Sequence, residues 1–212
     1  MALLQQIKVG TAALCLVMAA GCTQVKGPVQ SSLDDTFAVS GIAVLPVRPV
    51  IEFDENQTLA EEELLRNSSV VMDGLIKEAL ADKSGVRFIT TPLQVEHKGG
   101  GFTDLEKARD IAAQQECNTL LEVTLSRYVE RIGGDYGVRQ PAAVTFAYRL
   151  YEVGEGRVLC HGRFDEQQQS VMENLLTLPK AQSRGLVWLT AEDLARDGIK
   201  EKFSQCPYLD DK

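Results

Sequence analysis

Cys160 and His161 stand side by side, and a thiol beside an imidazole is the pair from which a nucleophile and its base are built. On a strand, however, adjacent residues point to opposite faces, so an ordinary strand pair is expected there and not a dyad. The two histidines, His97 and His161, and the cysteines lack any compact metal-ligand spacing, and no Cys-x-x-Cys pair exists for zinc or redox chemistry. Gly99-Gly100-Gly101 precedes a helical pattern and invites a phosphate-cradle reading. Asp104 and Glu106 in the first turn would repel an anion, and no Gly-Lys-Ser/Thr follows, so a flexible connection is expected. Glu61 to Glu63 and Asp165-Glu166 read as solvated charge, not as the facing carboxylates of acid–base catalysis. No catalytic residue, cofactor or metal is expected, and the chain reads as non-enzymatic.

The cysteine with assignable chemistry is Cys22. Lys8 closes a short basic start, and Val9 to Ala20 then runs without charge, the length of a signal-peptide core. It falls short of the ~20 apolar residues that span a bilayer. Ala19-Ala20-Gly21-Cys22 places small residues directly before the cysteine and resembles the lipobox of bacterial lipoproteins. Ala19 departs from the leucine preferred there. The resemblance implies a diacylglyceryl group on Cys22, cleavage before it, and often acylation of the new amino end. Two or three acyl chains anchor stably where one does not. Thr23 stands where an Asp would signal inner-membrane retention, which favours the outer membrane, with the domain facing the periplasm. The sequon letters Asn56-Gln57-Thr58 and Asn67-Ser68-Ser69 are coincidental in that setting.

Loss of residues 1–21 leaves 191 of 212 residues and takes the formal charge from −8 to −9 with Lys8. The length fits one domain. The acidic balance, with no run of basic residues, argues against nucleic acid and anionic lipid surfaces as partners. Cys117, Cys160 and Cys206 remain, an odd number that allows at most one internal disulfide. Buried free thiols are expected ahead of a Cys160–Cys206 or Cys117–Cys206 bridge, because a domain of this size needs no covalent framework.

The elements that must position these groups follow from periodicity. Residues 22–38 are polar, with Gly27, Pro28, Ser31 and Ser32, and read as a tether to a domain at 39–212. Ile42 to Val47 is an apolar run for a strand buried on both faces, ended by Pro46 and Pro49. From Thr58 to Asp82, Leu64, Leu65, Ser68, Met72, Leu75, Ile76 and Leu80 mark one face of a helix. Residues 86–96 read as a second strand, and 103–115 as a second helix with Thr103 and Glu106 at capping-box spacing. Leu121, Val123 and Leu125, then Val144, Phe146, Tyr148 and Leu150, alternate with polar partners, and Gly154-Glu155-Gly156 turns into a third antiparallel strand. Thr190 caps a last helix running to Ser204, with Asp193 as its reciprocal partner.

This order describes an α/β (α+β) domain with one mixed sheet of about five strands and helices packed on it. GIAVLPV at 41–47, FITTPLQVE at 88–96, NTLLEVTLSR at 118–127 and VTFAYRLYEVGEGRVLCHGRF at 144–164 resemble the fold family of the curli secretion lipoprotein CsgG, the synthase activator LpoB and the N-terminal domain of TolB. The resemblance covers roughly residues 40–170 and implies fold and compartment, not activity. The stretch at 173–199 is similar to that of uncharacterised proteobacterial lipoproteins. Membrane-spanning hairpins of the CsgG kind need ~9–11 alternating residues per strand, and the Gly-rich connection at 130–142 is too short for them.

For partner contact the strongest candidate is that connection, with Arg131, Tyr136 and Arg139 among adaptable glycines. An ordinary hairpin loop is the competing reading. Trp188 and Tyr208 read as packing residues. The leading function is an envelope adaptor that binds a protein partner, for cell-wall synthase regulation or for secretion and surface assembly. A homo-oligomeric scaffold is the alternative, and a small-ligand or glycan-processing enzyme is the least favoured.

Overall fold

A computed structural model of the chain describes residues 37–50, 59–90, 105–169, 182 and 187–210. These belong to one unit, Phe37–Lys212, and residues 1–36 lie outside the described residues. Among the described residues the strands are β1 (Ile42–Val44), β2 (Arg48–Pro49), β3 (Val86–Phe88), β4 (Thr119–Val129), β5 (Ile132–Gly134), β6 (Gly137–Gln140), β7 (Ala143–Glu152) and β8 (Val158–Gln167). The helices among the same residues are α1 (Leu59–Ala79), α2 (Leu105–Gln114) and α3 (Ala191–Phe203). The main sheet has the order β3-β1-β4-β7-β8, with β2 pairing β4 beside β1. β1 is parallel to β3 and β4, whereas β4, β7 and β8 form the antiparallel meander.

The alternation of the long strands decides what the sheet carries. Leu121, Val123 and Leu125 of β4, with Val144, Phe146, Tyr148 and Leu150 of β7, share one face and join one buried cluster. Leu65, Met72, Leu75 and Ile76 of α1 cover it, as do Leu194, Ala195, Ile199 and Phe203 of α3. Both helices therefore lie on one side. On the opposite side α2 covers only the β1 end, where Ala43, Leu45, Ala112, Leu120 and Val153 form a second, smaller core. Arg109 of α2 ties that helix to the following turn through the Val153 carbonyl at 2.9 Å.

The N-terminal end of α3 is set by its own cap and by a side chain from the end of β4. Thr190 is its N-cap, accepting from the Asp193 backbone N–H at 3.1 Å. Glu130, at the end of β4, accepts from the Ala191 N–H at 3.1 Å, placing negative charge where the helix dipole is positive. Gly198 lets the helix approach the sheet: a Cβ there would lie 2.7 Å from the Phe164 ring.

The observed elements amend the sequence reading in three places. Pro49 does not simply end the first strand, because it belongs to β2, which pairs with Leu125 in parallel register. The strand expected at 86–96 is described as Val86–Phe88, and 91–96 lies outside the described residues. The connection at 130–142, expected as a loop, carries the β5–β6 hairpin.

Candidate functional site

The hairpin is mounted on the body of the domain from both sides of one residue. Arg131 donates to the Trp188 carbonyl and forms an ion pair with Asp135 at 2.6 Å. The Trp188 N–H in turn donates to the Asp135 carbonyl at 2.9 Å. Gln168, just past β8, clamps the neighbouring backbone, donating to the Val187 carbonyl at 2.8 Å and accepting from the Leu189 N–H at 2.7 Å. Gly133 holds φ +136, and a Cβ there would fall 2.4 Å from the Gly137 carbonyl oxygen, so only glycine closes this hairpin. At the tip Tyr136 is 89% exposed, and Ile132 and Arg139 are exposed beside it. Of the three residues singled out in sequence, Tyr136 and Arg139 therefore present themselves to solvent, while half-buried Arg131 holds the hairpin in place.

A second surface was not anticipated from sequence. On the sheet face away from α1 and α3, β-pairing aligns Arg48, Thr124, Ala147 and Arg163 in one row across β2, β4, β7 and β8. The next row holds Glu122, Arg149 and His161, and the row on the other side holds Arg127, Thr145 and Asp165. Arg48 pairs with Glu122 at 3.3 Å, and the Tyr151 hydroxyl donates to the other Glu122 oxygen at 3.1 Å. Asp165 receives Thr145 at 2.8 Å, Arg127 at 3.0 Å and Arg163 at 3.1 Å. The Thr145 hydroxyl first, and then Arg163, hold its carboxyl below the usual carboxylate range. Four arginines and two carboxylates thus share one face of an acidic chain. The signal in sequence is the polar half of each alternating strand, whose residues lie up to 117 positions apart, from Arg48 to Asp165, and form no run.

The cysteine expectation is corrected. Cys160 and Cys206 form a disulfide, their Cα atoms 5.8 Å apart, and Cys117 is the buried free thiol. Cys160 lies on the helix-covered face of β8, and the turn after α3 returns Cys206 to it; no spacing in the sequence reveals that approach. Burial pushes the Cys117 thiol up, away from the reactive thiolate. His161 lies opposite Arg149 on the other face, so the adjacent Cys160 and His161 are separated by the sheet, as strand geometry requires. Cys22, His97 and Gly99 to Gly101 lie outside the described residues. Among the described residues no group of three ligating side chains could hold a metal, and no helix is long and apolar enough to cross a membrane.

No family model matches the chain, and no curated protein matches it by sequence. Solved structures that it is similar to include the PelC dodecamer from Paraburkholderia phytofirmans, at 12% identity and TM-score 0.44, covering 78% of this chain and 86% of that one. The LpoB C-terminal domain from Escherichia coli overlaps at 16% identity and TM-score 0.35, covering 63% and 87% of the two chains. A lipoprotein from Neisseria meningitidis overlaps at 13% identity and TM-score 0.28, covering 69% and 96%. At such identities no residue role is carried across.

Proposed function

We propose that this chain is a non-enzymatic adaptor of the bacterial cell envelope. In this reading residues 1–21 are removed, acylated Cys22 holds the protein to the outer membrane, and residues 22–38 tether a periplasm-facing domain. That domain binds an envelope protein, in cell-wall synthase regulation or in secretion and surface assembly, through the tip of the β5–β6 hairpin. One observation carries the contact: Tyr136 stands 89% exposed on a hairpin whose base is hydrogen-bonded to Trp188. A rigidly held exposed aromatic loses little entropy on docking and supplies an anchor of the kind that dominates interfaces.

A photo-crosslinking residue at position 136 of the full-length lipoprotein, activated in intact envelopes, tests this. A single protein adduct that vanishes when the crosslinker is moved to exposed Glu155, at the opposite end of β7, is the expected result. Equal, diffuse labelling from both positions would sink the contact reading. Palmitate incorporation tests the anchor separately: wild type labels and Cys22→Ser does not.

The scaffold reading has its own support, because β8 ends the main sheet and pairs only with β7 among the described residues. Such an edge is a template for pairing with a second copy. Light scattering of the detergent-solubilised protein distinguishes the two, and a monomeric mass would remove the scaffold.

A further inference from the structure

We infer that the open sheet face carries a binding trough for the carboxylate group of a small polar ligand. This reading is independent of the hairpin contact, since it uses another surface and none of the hairpin's residues. The trough is a cleft of about 190 Å³ whose floor is the row of small side chains, Thr124 and Ala147, with Ser126 beside them. Its two walls are arginines: Arg48 on β2 at one end of the row and Arg163 on β8 at the other. At a strand spacing of about 4.8 Å, three steps put those two backbones roughly 14 Å apart. Both side chains line the cleft, Arg163 while paired with Asp165 at 3.1 Å, and that separation leaves room for a planar anion between them.

The charge is arranged for an incoming anion. Glu122 also lines the cleft, but it is buried and already engaged by Arg48 and Tyr151, and Arg149 adds a third guanidinium to the lining. Arg48 also holds its Nε–H buried with no acceptor among the described residues, and Arg127 does the same on the flanking row. The hydroxyls of Thr124 and Ser126 donate to the Ala147 and Thr145 carbonyls, which leaves their oxygens facing the cleft as acceptors for a ligand N–H or O–H. The lining therefore sets three guanidinium groups against one carboxylate, Glu122, that is already paired, with neutral hydroxyls on the floor, so positive charge stays in excess for a carboxylate on a polar skeleton.

Carboxylate is favoured over phosphate by the backbone. Phosphate sites draw on clusters of main-chain N–H groups in loops or at helix N-termini. Here the floor lies on the β4–β7 ladder, whose main-chain groups pair with each other. The cleft is also smaller than the ~300–1,000 Å³ of cofactor pockets, which fits one acidic unit and not a nucleotide.

The test is titration of the full-length, detergent-solubilised protein with succinate at constant ionic strength, read by calorimetry and by thermal shift. Saturable binding is expected, with Arg163→Gln weakening it roughly tenfold or more through loss of a charge-assisted bond. Arg163→Lys should also weaken it, because the charge persists and the fork does not. Ala147→Leu fills the floor without touching a charge, and is expected to abolish binding while the ligand-free melting temperature stays within a few degrees of wild type. Arg196→Gln, on α3 at the other side of the sheet, should bind as wild type does. Absence of saturable binding by wild type would overturn the proposal, as would binding unchanged by Ala147→Leu. Inorganic phosphate binding as tightly as succinate would overturn the assignment to carboxylate.

Discussion

The two faces of one sheet are made of the same strands and have opposite physical character. The face under α1 and α3 holds Leu121, Val123, Phe146, Tyr148 and Leu150, closed by two helices into the larger core. The face beyond the reach of α2 holds arginines, carboxylates and hydroxyls around a cleft. The difference teaches that stability and recognition are divided by strand parity here: odd and even positions of β4 and β7 answer to different demands. Substitutions on the first face should cost folding free energy, and substitutions on the second should cost binding.

The comparison breaks most visibly at Phe146, fully buried and stacked on Phe164 with ring centroids 5.4 Å apart. Phe146→Ala is expected to lower unfolding free energy by about 3–5 kcal/mol, measured by urea denaturation. Next comes the disulfide. Replacing Cys160 and Cys206 with alanine opens a loop spanning 46 residues of separation and should cost about 2–4 kcal/mol. Adding reductant to the wild type should reproduce most of that loss, and leave the variant unmoved. Gly198→Ala forces a methyl against the Phe164 ring and should cost about 1–3 kcal/mol, despite alanine's better helix propensity.

On the other face the effects shrink. Arg163→Gln exchanges an exposed ion pair with Asp165 for a neutral side chain, and a change within about 0.5 kcal/mol is expected from the same denaturation curves. A loss comparable to that of Gly198→Ala would show that the open face also holds the fold together. The smallest effect is a pH dependence at Asp165, whose folded-state pKa is lowered. A carboxyl with a lowered folded pKa adds stability that is present above its unfolded pKa and is lost as pH falls through the folded one. Asp165→Asn should therefore be less stable than wild type at neutral pH, and the gap should close in acid, below the usual Asp range of about 4. A gap that persists unchanged into strong acid would remove Asp165 from the acid response.

Much of this architecture is legible in the sequence. Alternation in β4 and β7 identified the inward residues, the spacing of Leu65, Met72 and Ile76 identified α1, and Thr190 with Asp193 marked the start of α3. These are local signals, because periodicity and capping join residues within a turn or two of each other. The β5–β6 hairpin was less legible, since Gly133, Gly134 and Gly137 carry a loop signature and its strands bury little. The hairpin's mount was invisible, because Arg131 finds the Trp188 carbonyl across 57 positions.

The sequence by itself determined the chemistry expected at Cys22 and the mixed α/β plan from residues close together in the chain, and the acidic balance from its overall composition. Only the tertiary structure decided that Cys160 meets Cys206 and not Cys117, and that Arg48 and Arg163 wall one cleft. The physical reason is shared. Both depend on which strands pair and in what register, since a shift of one residue would turn Cys160, Arg48 or Arg163 to the other face, and the disulfide depends also on α3 bringing Cys206 back over β8.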